Sequence, residues 1–257
     1  MAWMEPTEQG PQAFAHLSAT LSISGEKVPL EISVPAGPVP RTAILPALGV
    51  LADSVAGAAT HQAAARGETV SCRAGCGACC RQLVPIAPTE ARALAALVEA
   101  LPLERRDAVT RRFDEIRARL AAAGLLEELS APERVDEEGR RRMAPAYFAL
   151  KEPCPFLVEE SCSIHAERPL SCREYLVTSP AEACGSAVPG SVKKLRLAGS
   201  VWAALARAEA PRGATRATWV PLSLALSWAA SHPAEEEPRP GTTLFEDVVR
   251  SLLREPG

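Results

Sequence analysis

The chain has 257 residues, 47% hydrophobic and 23% charged, with a net charge of −3. That is enough apolar material for a full core, and too little positive charge for a broad nucleic-acid-binding face. Aromatic residues make up only 4% and alanine is abundant, so the core is expected to be helical and built from small side chains.

Residues 1–17 show no period and are expected to be a flexible N-terminus. The opening Met1 to Pro6 lacks a basic start followed by an apolar run, so no signal peptide is expected. Leu21 and Ile23, then Val28, Leu30, Ile32 and Val34, alternate with polar residues around Gly25-Glu26-Lys27. This predicts a β-hairpin. Leu45 to Arg66 has a helical stripe of Leu48, Leu51 and Val55, with Gly67 as its stop, so 18–68 is expected to hold the hairpin and a helix.

Beyond the first cysteines, Pro88 and Glu90 open a helix with Leu94, Leu97, Val98 and Leu101 on one face, closed by Pro102. Val109, Phe113, Ile116 and Leu120 mark a second helix, stopped by Gly124. The charged run from Ser130 to Arg142 is expected to be an exposed loop. Leu195, Val201, Trp202 and Leu205 suggest another helix, and Trp219 to Ser231 a further apolar one. The stretch from Glu235 to Pro240 reads as a linker. Thr243 and Glu246 have capping-box spacing ahead of a last helix carrying Phe245, Val248, Val249 and Leu252. The expected fold is mainly α with a small N-terminal β-hairpin, and an irregular cysteine-rich metal-binding centre packed on helices. That centre spans 69–190, and the C-terminal helices of 191–257 pack on it.

The most apolar stretches are 43–60 and 219–230. The first carries Pro46, Asp53 and two glycines, and the second is too short to span a bilayer. The expectation is a soluble cytoplasmic protein with no membrane partner and no nucleic-acid partner. In a reducing compartment, clustered cysteines are more often metal ligands than disulfides. Pairing of the eight cysteines is the alternative if the protein is exported.

The organising stretch is Cys72-Arg73-Ala74-Gly75-Cys76-Gly77-Ala78-Cys79-Cys80, with four thiols in nine residues. On a regular helix Cys72 and Cys80 would stand roughly 12 Å apart along the axis. Sulfurs sharing one tetrahedral zinc lie about 3.8 Å from each other. A helix therefore cannot offer all four thiols to one ion. Either Gly75 and Gly77 fold the loop inward, or the thiols serve a larger object, such as an iron–sulfur cluster or two neighbouring ions. The adjacent pair Cys79-Cys80 diverges on any regular backbone and suits two metal positions, or one ligand and one supporting thiol.

The other four cysteines, Cys154, Cys162, Cys172 and Cys184, fall in one later segment. Prolines fix the chain around Cys154 and ahead of Cys172. Rigid ligand loops lose less entropy when a metal binds. Cys72, Cys76, Cys79, Cys80, Cys154, Cys162 and Cys172 are the candidate ligands. Cys184 is an extra ligand or a buried thiol, and His165, three residues after Cys162, is either a ligand or incidental. Arg168 and Arg173 either offset thiolate charge or make surface salt bridges; Tyr175 stands beside them as a further neighbour of the centre.

The blocks Gly75 to Cys80, Pro153-Cys154-Pro155-Phe156-Leu157, Cys162-Ser163-Ile164 and Arg168-Pro169 through Cys172-Arg173-Glu174-Tyr175 resemble the YkgJ-type cysteine-cluster family. That family is described as a zinc- or iron-chelating domain with a CxxCxxCC signature. The resemblance covers roughly residues 70–185 and departs at His165, where the family usually has Tyr. Flagellin lysine methylases carry a similar pattern, which the resemblance links to a [4Fe-4S] centre and S-adenosylmethionine-dependent methyl transfer. No GxGxxG nucleotide loop accompanies it here.

These residues carry three functional readings. The first is a protein that binds zinc or a [4Fe-4S] iron–sulfur cluster through thiolates, for structure or redox. The second is an enzyme modifying protein side chains, with the cluster near its active site. The third is a zinc-stapled module for a protein partner.

Overall fold

A computed structural model describes residues 13–186, 190–211, 213–214, 216–233 and 237–254. The first element is an antiparallel hairpin of β1 (Phe14–Ile23) and β2 (Glu26–Pro35), in register from Ile23 opposite Glu26 to Phe14 opposite Pro35. Its turn is Ser24-Gly25, both with positive φ, the two-residue geometry that matches strand twist. Lys27, expected in the turn, pairs with Ser22. Strand β1 also starts earlier than expected. Ala15 and Leu17 extend the buried alternation back through the supposedly loose residues, a signal that small alanine side chains weaken. The rest of the expected flexible N-terminus, residues 1–12, lies outside the described residues.

After β3 (Pro38–Val39), helix α1 (Leu45–Ala65) ends where expected, with Gly67 in the left-handed region that suits glycine. Leu48, Leu51, Ala52 and Val55 of α1 pack on the hairpin's apolar face. By length and composition α1 is apolar enough to cross a membrane, and half of its apolar window is buried inside the fold.

Strand β4 (Pro85–Ile86) leads into α2 (Pro88–Glu99) and α3 (Leu103–Ala122), on the expected apolar faces. The charged run beyond is not a loop. It begins on the last residue of α4 (Leu126–Ser130), passes through a short turn over Pro132–Arg134 and runs into α5 (Glu137–Ala149). Asp136 caps α5 by accepting from Gly139 N at 2.8 Å, and Met143 and Tyr147 bury its apolar stripe. The density of charges on the exposed face hides that stripe in sequence.

The second cysteine segment holds a tight hairpin, β5 (Leu157–Val158) with β6 (Ser161–Cys162), and the short helix α6 (Leu170–Glu174). Leu195 lies in extended chain, its N–H bonded to the Leu176 carbonyl, so α7 (Val201–Ala208) is shorter than expected. Likewise β7 (Val220–Pro221) takes the first part of the expected apolar helix, pairs with β4, and leaves α8 (Ala225–Ser231). Strand β8 (Arg239–Pro240) pairs with β3 and leads into α9 (Gly241–Leu253). Part of the expected linker, residues 235–236, lies outside the described residues. Thr243 sits inside α9 and does not cap it; Pro240 holds the N-cap position.

One core joins the hairpin, α1, α7 and α9; a second joins α2, α3, α8 and the Cys154–Ile164 segment. The fold is therefore mainly helical with one small hairpin, and the cysteine segments sit on its helical part.

Candidate metal centre

The first cysteine loop is shaped by its two glycines. Gly75 has φ +77°, and a Cβ on Gly77 would stand 2.7 Å from both Leu157 Cδ1 and Glu160 Oε2. Neither position suits a regular helix or a larger residue, so the chain bends at 75–77 and resumes as a single 3₁₀ turn over Ala78–Arg81. That turn carries Cys79 and Cys80. Arg81 holds it in place: Nη1 donates to the Gly77 carbonyl at 3.0 Å, and the guanidinium pairs with Glu160 through bonds of 2.6 and 3.0 Å. Upstream, Ser71 N donates to the Val177 carbonyl at 3.0 Å, tying the loop's start to the far side of the domain.

The second segment is joined to the first by backbone. Cys154 N donates to the Cys80 carbonyl at 2.7 Å. The β5–β6 hairpin turns through Glu159 and Glu160, both at positive φ, so that Glu160 reaches Arg81 while Cys162 lies opposite Leu157. Phe156 is buried edge-on against Phe113 at 5.5 Å, which fixes the backbone just after Cys154. Cys172 rides on α6, whose entry is held by the buried Glu90. One Glu90 oxygen accepts from Ala87 N at 2.8 Å, the other from Leu170 N at 2.7 Å. Glu174 at the end of α6 accepts from Ser200 Oγ at 2.6 Å, from Val201 N at 2.5 Å and from Trp202 N at 3.1 Å, so it caps α7.

The outcome is one cavity of about 590 Å³ whose wall includes all eight cysteines. All eight are free thiols. Cys79 is central: its thiol hydrogen-bonds with that of Cys80, and its charge bears on Cys72, Cys154, Cys162, Cys172 and Cys184. That hydrogen bond, reinforced by burial, raises the Cys79 thiol far above the ordinary range. Burial pushes Cys154 up to about 12 and Cys172 well above its usual value; it also raises Cys72, Cys162 and Cys184. Thiols gathered this way stay protonated without a cation, because each thiolate would repel its neighbours in a poorly solvated space. A bound metal cation reverses that balance.

Among the described residues, no three His, Cys, Asp or Glu side chains stand close enough to hold a single metal ion. The thiols instead ring a space. An all-sulfur donor set of that kind suits soft metals and iron–sulfur clusters.

The other expected neighbours divide. Arg168, His165 and Tyr175 line the cavity. Arg168 Nη1 is hydrogen-bonded to His165 Nε2, and the nearby guanidinium lowers the His165 pKa. The Tyr175 hydroxyl is hydrogen-bonded to Gln82 Nε2 at 3.1 Å. Arg173 takes the salt-bridge alternative and is not among the residues of the cavity wall. Its Nη1 pairs with Asp53 on α1 at 2.8 Å, and its Nε donates to the Arg168 carbonyl at 3.2 Å, so it braces α6 against α1. Sequence reasoning missed the wall residues Gln82, Lys194 and Trp202, which no motif marks, and did not single out Ser171, which lies inside the Arg168–Tyr175 block. It also missed the buried clamp Glu90, whose place in the first turn of α2 was visible but whose second partner, Leu170, is distant in sequence.

A helical scaffold presenting eight free thiols to one cavity defines a cysteine-rich metal-binding domain. Comparison with known families agrees. Residues 71–187 match the family model described as "CxxCxxCC: Putative zinc- or iron-chelating domain". No curated protein and no solved structure matched the chain in the same comparisons.

Proposed function

We propose that the thiol-lined cavity binds a polynuclear metal–thiolate centre, an iron–sulfur cluster of the [4Fe-4S] kind in preference to a single zinc ion, with a structural or redox role. The observation that carries this reading is the convergence of all eight cysteines on one cavity, with no three ligands close enough for one ion among the described residues. The ligands we assign are drawn from Cys79, Cys80, Cys154, Cys162 and Cys172, because they line one wall where the Cys154 N–H to Cys80 carbonyl bond joins the two cysteine segments. Cys72, Cys76 and Cys184 form a second set around Cys79, of which Cys72 is exposed, suited to a further metal or to exchange with solvent. Such a cluster, when bound, would supply a covalent staple between the two cysteine segments and a one-electron redox couple. The chain's own residues bring Cys80 and Cys154 together, exclude water through Phe156 and Leu222, and place Arg168 against the thiolate charge.

The test is anaerobic purification followed by iron, zinc and acid-labile sulfide analysis. Iron with matching sulfide and absorbance near 400 nm supports the reading. A colourless protein with zinc and no sulfide replaces the cluster with zinc.

A further inference from the structure

The β1–β2 hairpin is a sheet of two strands, so each strand has one edge without a sheet neighbour. The register fixes what each edge offers. In a two-residue hairpin the closing pair, here Ile23 and Glu26, exchanges backbone hydrogen bonds, and bonded and non-bonded pairs alternate from there. Ala36 N donates to the Ala13 carbonyl at 2.8 Å, which carries the same alternation to the far end. The backbone polar groups of Phe14, His16, Ser18, Thr20 and Ser22 therefore point away from β2. Those of Lys27, Pro29, Glu31, Ser33 and Pro35 point away from β1.

The two edges are not alike. On β2 the outward positions include Pro29 and Pro35, which have no N–H to give, and the charged Lys27 and Glu31. Proline and charge are devices that keep a further strand off an edge. Strand β1 uses neither: its outward residues include no proline, lysine, arginine, aspartate or glutamate. Phe14, Ser18, Thr20 and Ser22 are exposed. Among the described residues, no further backbone group bonds to the outward N–H and C=O groups of these four. The other face of the strand is committed to the core through Ala15, Leu17, Leu21 and Ile23.

We infer that β1 is a dimerisation edge: it pairs antiparallel with β1 of a second copy of this chain, across a twofold axis at Ser18, to make one four-stranded sheet. The occupant follows from the strand's own pattern. An edge without charged side chains meets its copy with no like charges opposed. With Ser18 opposite Ser18 of the second copy, Phe14 faces Ser22 and His16 faces Thr20. Each such pair exchanges both backbone bonds, about ten bonds in all. On the core-facing side the same register sets Ala15 against Leu21 and Leu17 against Ala19, one small and one large side chain each time. Moving the axis one residue either way sets leucine against leucine and alanine against alanine. A strand that pairs with itself in this way closes at two copies. The inference does not depend on the metal reading.

The test is sedimentation velocity on the full chain as purified, over a concentration series reaching the high micromolar. The expected result is a dimer whose share grows with concentration. Ser18→Lys and Ser18→Glu each set like charges against each other on the axis, and each alone should weaken the dimer several-fold. An equal mixture of the two should restore it, because opposite charges then meet. Thr20→Pro removes one outward N–H from each copy and spares the β1–β2 ladder, since Thr20 already faces Pro29. It should weaken the dimer roughly ten-fold. A chain that stays monomeric at every concentration overturns the inference, since the edge then serves another occupant or none. A dimer untouched by all three variants, or a mixture that fails to recover what each variant lost, overturns it as well.

Discussion

The backbone N–H of Cys154 donates a 2.7 Å hydrogen bond to the carbonyl of Cys80. This one contact places the start of the second cysteine segment against the end of the first, before any metal is considered. A side chain on either residue can then address the same space. The Arg81–Glu160 pair and the close approach of Gly77 to Leu157 repeat that junction on the opposite side of the loop. The protein thus joins its two cysteine segments by a backbone bond and the Arg81–Glu160 ion pair, which leaves the sulfurs free for a ligand.

Serine at Cys79 or Cys154 should remove the bound metal, because each is central to the inner thiol set. Metal analysis of the purified variants should read background. The melting midpoint should fall by roughly 10 °C or more, given about 2–4 °C per kcal/mol for a chain of this size and the large share of folding energy that structural metals supply. Metal content unchanged in both variants would remove them from the ligand set.

Alanine at Gly77 should damage the loop without touching a thiol. The added methyl meets Leu157 Cδ1 and Glu160 Oε2 at 2.7 Å and the Glu160 carbonyl at 3.1 Å, so both side chains must swing aside, which disturbs the Arg81–Glu160 pair, and the Glu160 backbone must give slightly. Overpacking of this kind costs about 1–3 kcal/mol. Metal occupancy after dialysis against a chelator should drop below that of the parent. Alanine at the open Gly57, where nothing lies within 4 Å, should leave it unchanged.

Replacing Glu174 by alanine leaves the N–H groups of Val201 and Trp202 and the Ser200 hydroxyl without their shared acceptor. Losing a charged, half-buried cap of this kind should cost about 2–3 kcal/mol by chemical denaturation. Glutamine keeps one acceptor oxygen and should recover part of it. A loss under half a kcal/mol in both variants would show that α7 is anchored by packing alone.

The Glu90 carboxyl is raised to about 7, first by burial and then by the neighbouring Glu209 and Glu174. Its folded pKa lies above the unfolded value near 4.5, so the folded state holds a proton that the unfolded state has lost between pH 4.5 and 7. Stability is full below that window and falls as pH rises through it, by up to about 3 kcal/mol at 1.36 kcal/mol per pH unit. Glu174 is shifted the same way by burial and adds to the slope. Urea midpoints at pH 5 and pH 7.5 should show the wild type losing stability on the alkaline side. Glu90→Gln should flatten the difference, and an equal slope in both proteins would assign it elsewhere.

Much of this arrangement was legible in the residues. The hairpin's alternation, the stripe of α1 ending at Gly67, and the Gly75–Gly77 break all follow from local chemistry that the fold repeats. What stayed hidden depends on distant partners. The Ser130–Arg142 run looks like solvated loop because the buried stripe of its helix, Met143 and Tyr147, starts only beyond it, yet Asp136 caps that helix within the run. For Arg173 the residues left a thiolate counter-charge and a salt bridge both open, and only the packing of α6 on α1 shows Asp53 as its partner. The wall residues Gln82, Lys194 and Trp202 carry no motif, so their place appears only once the cavity is built.

The most direct measurement is X-ray absorption at the metal edge of the anaerobically purified chain. The account predicts a first shell made only of sulfur and a metal neighbour in the next shell, as a polynuclear thiolate centre requires. A single metal atom with nitrogen or oxygen ligands, or a chain that retains no metal at all, would contradict it.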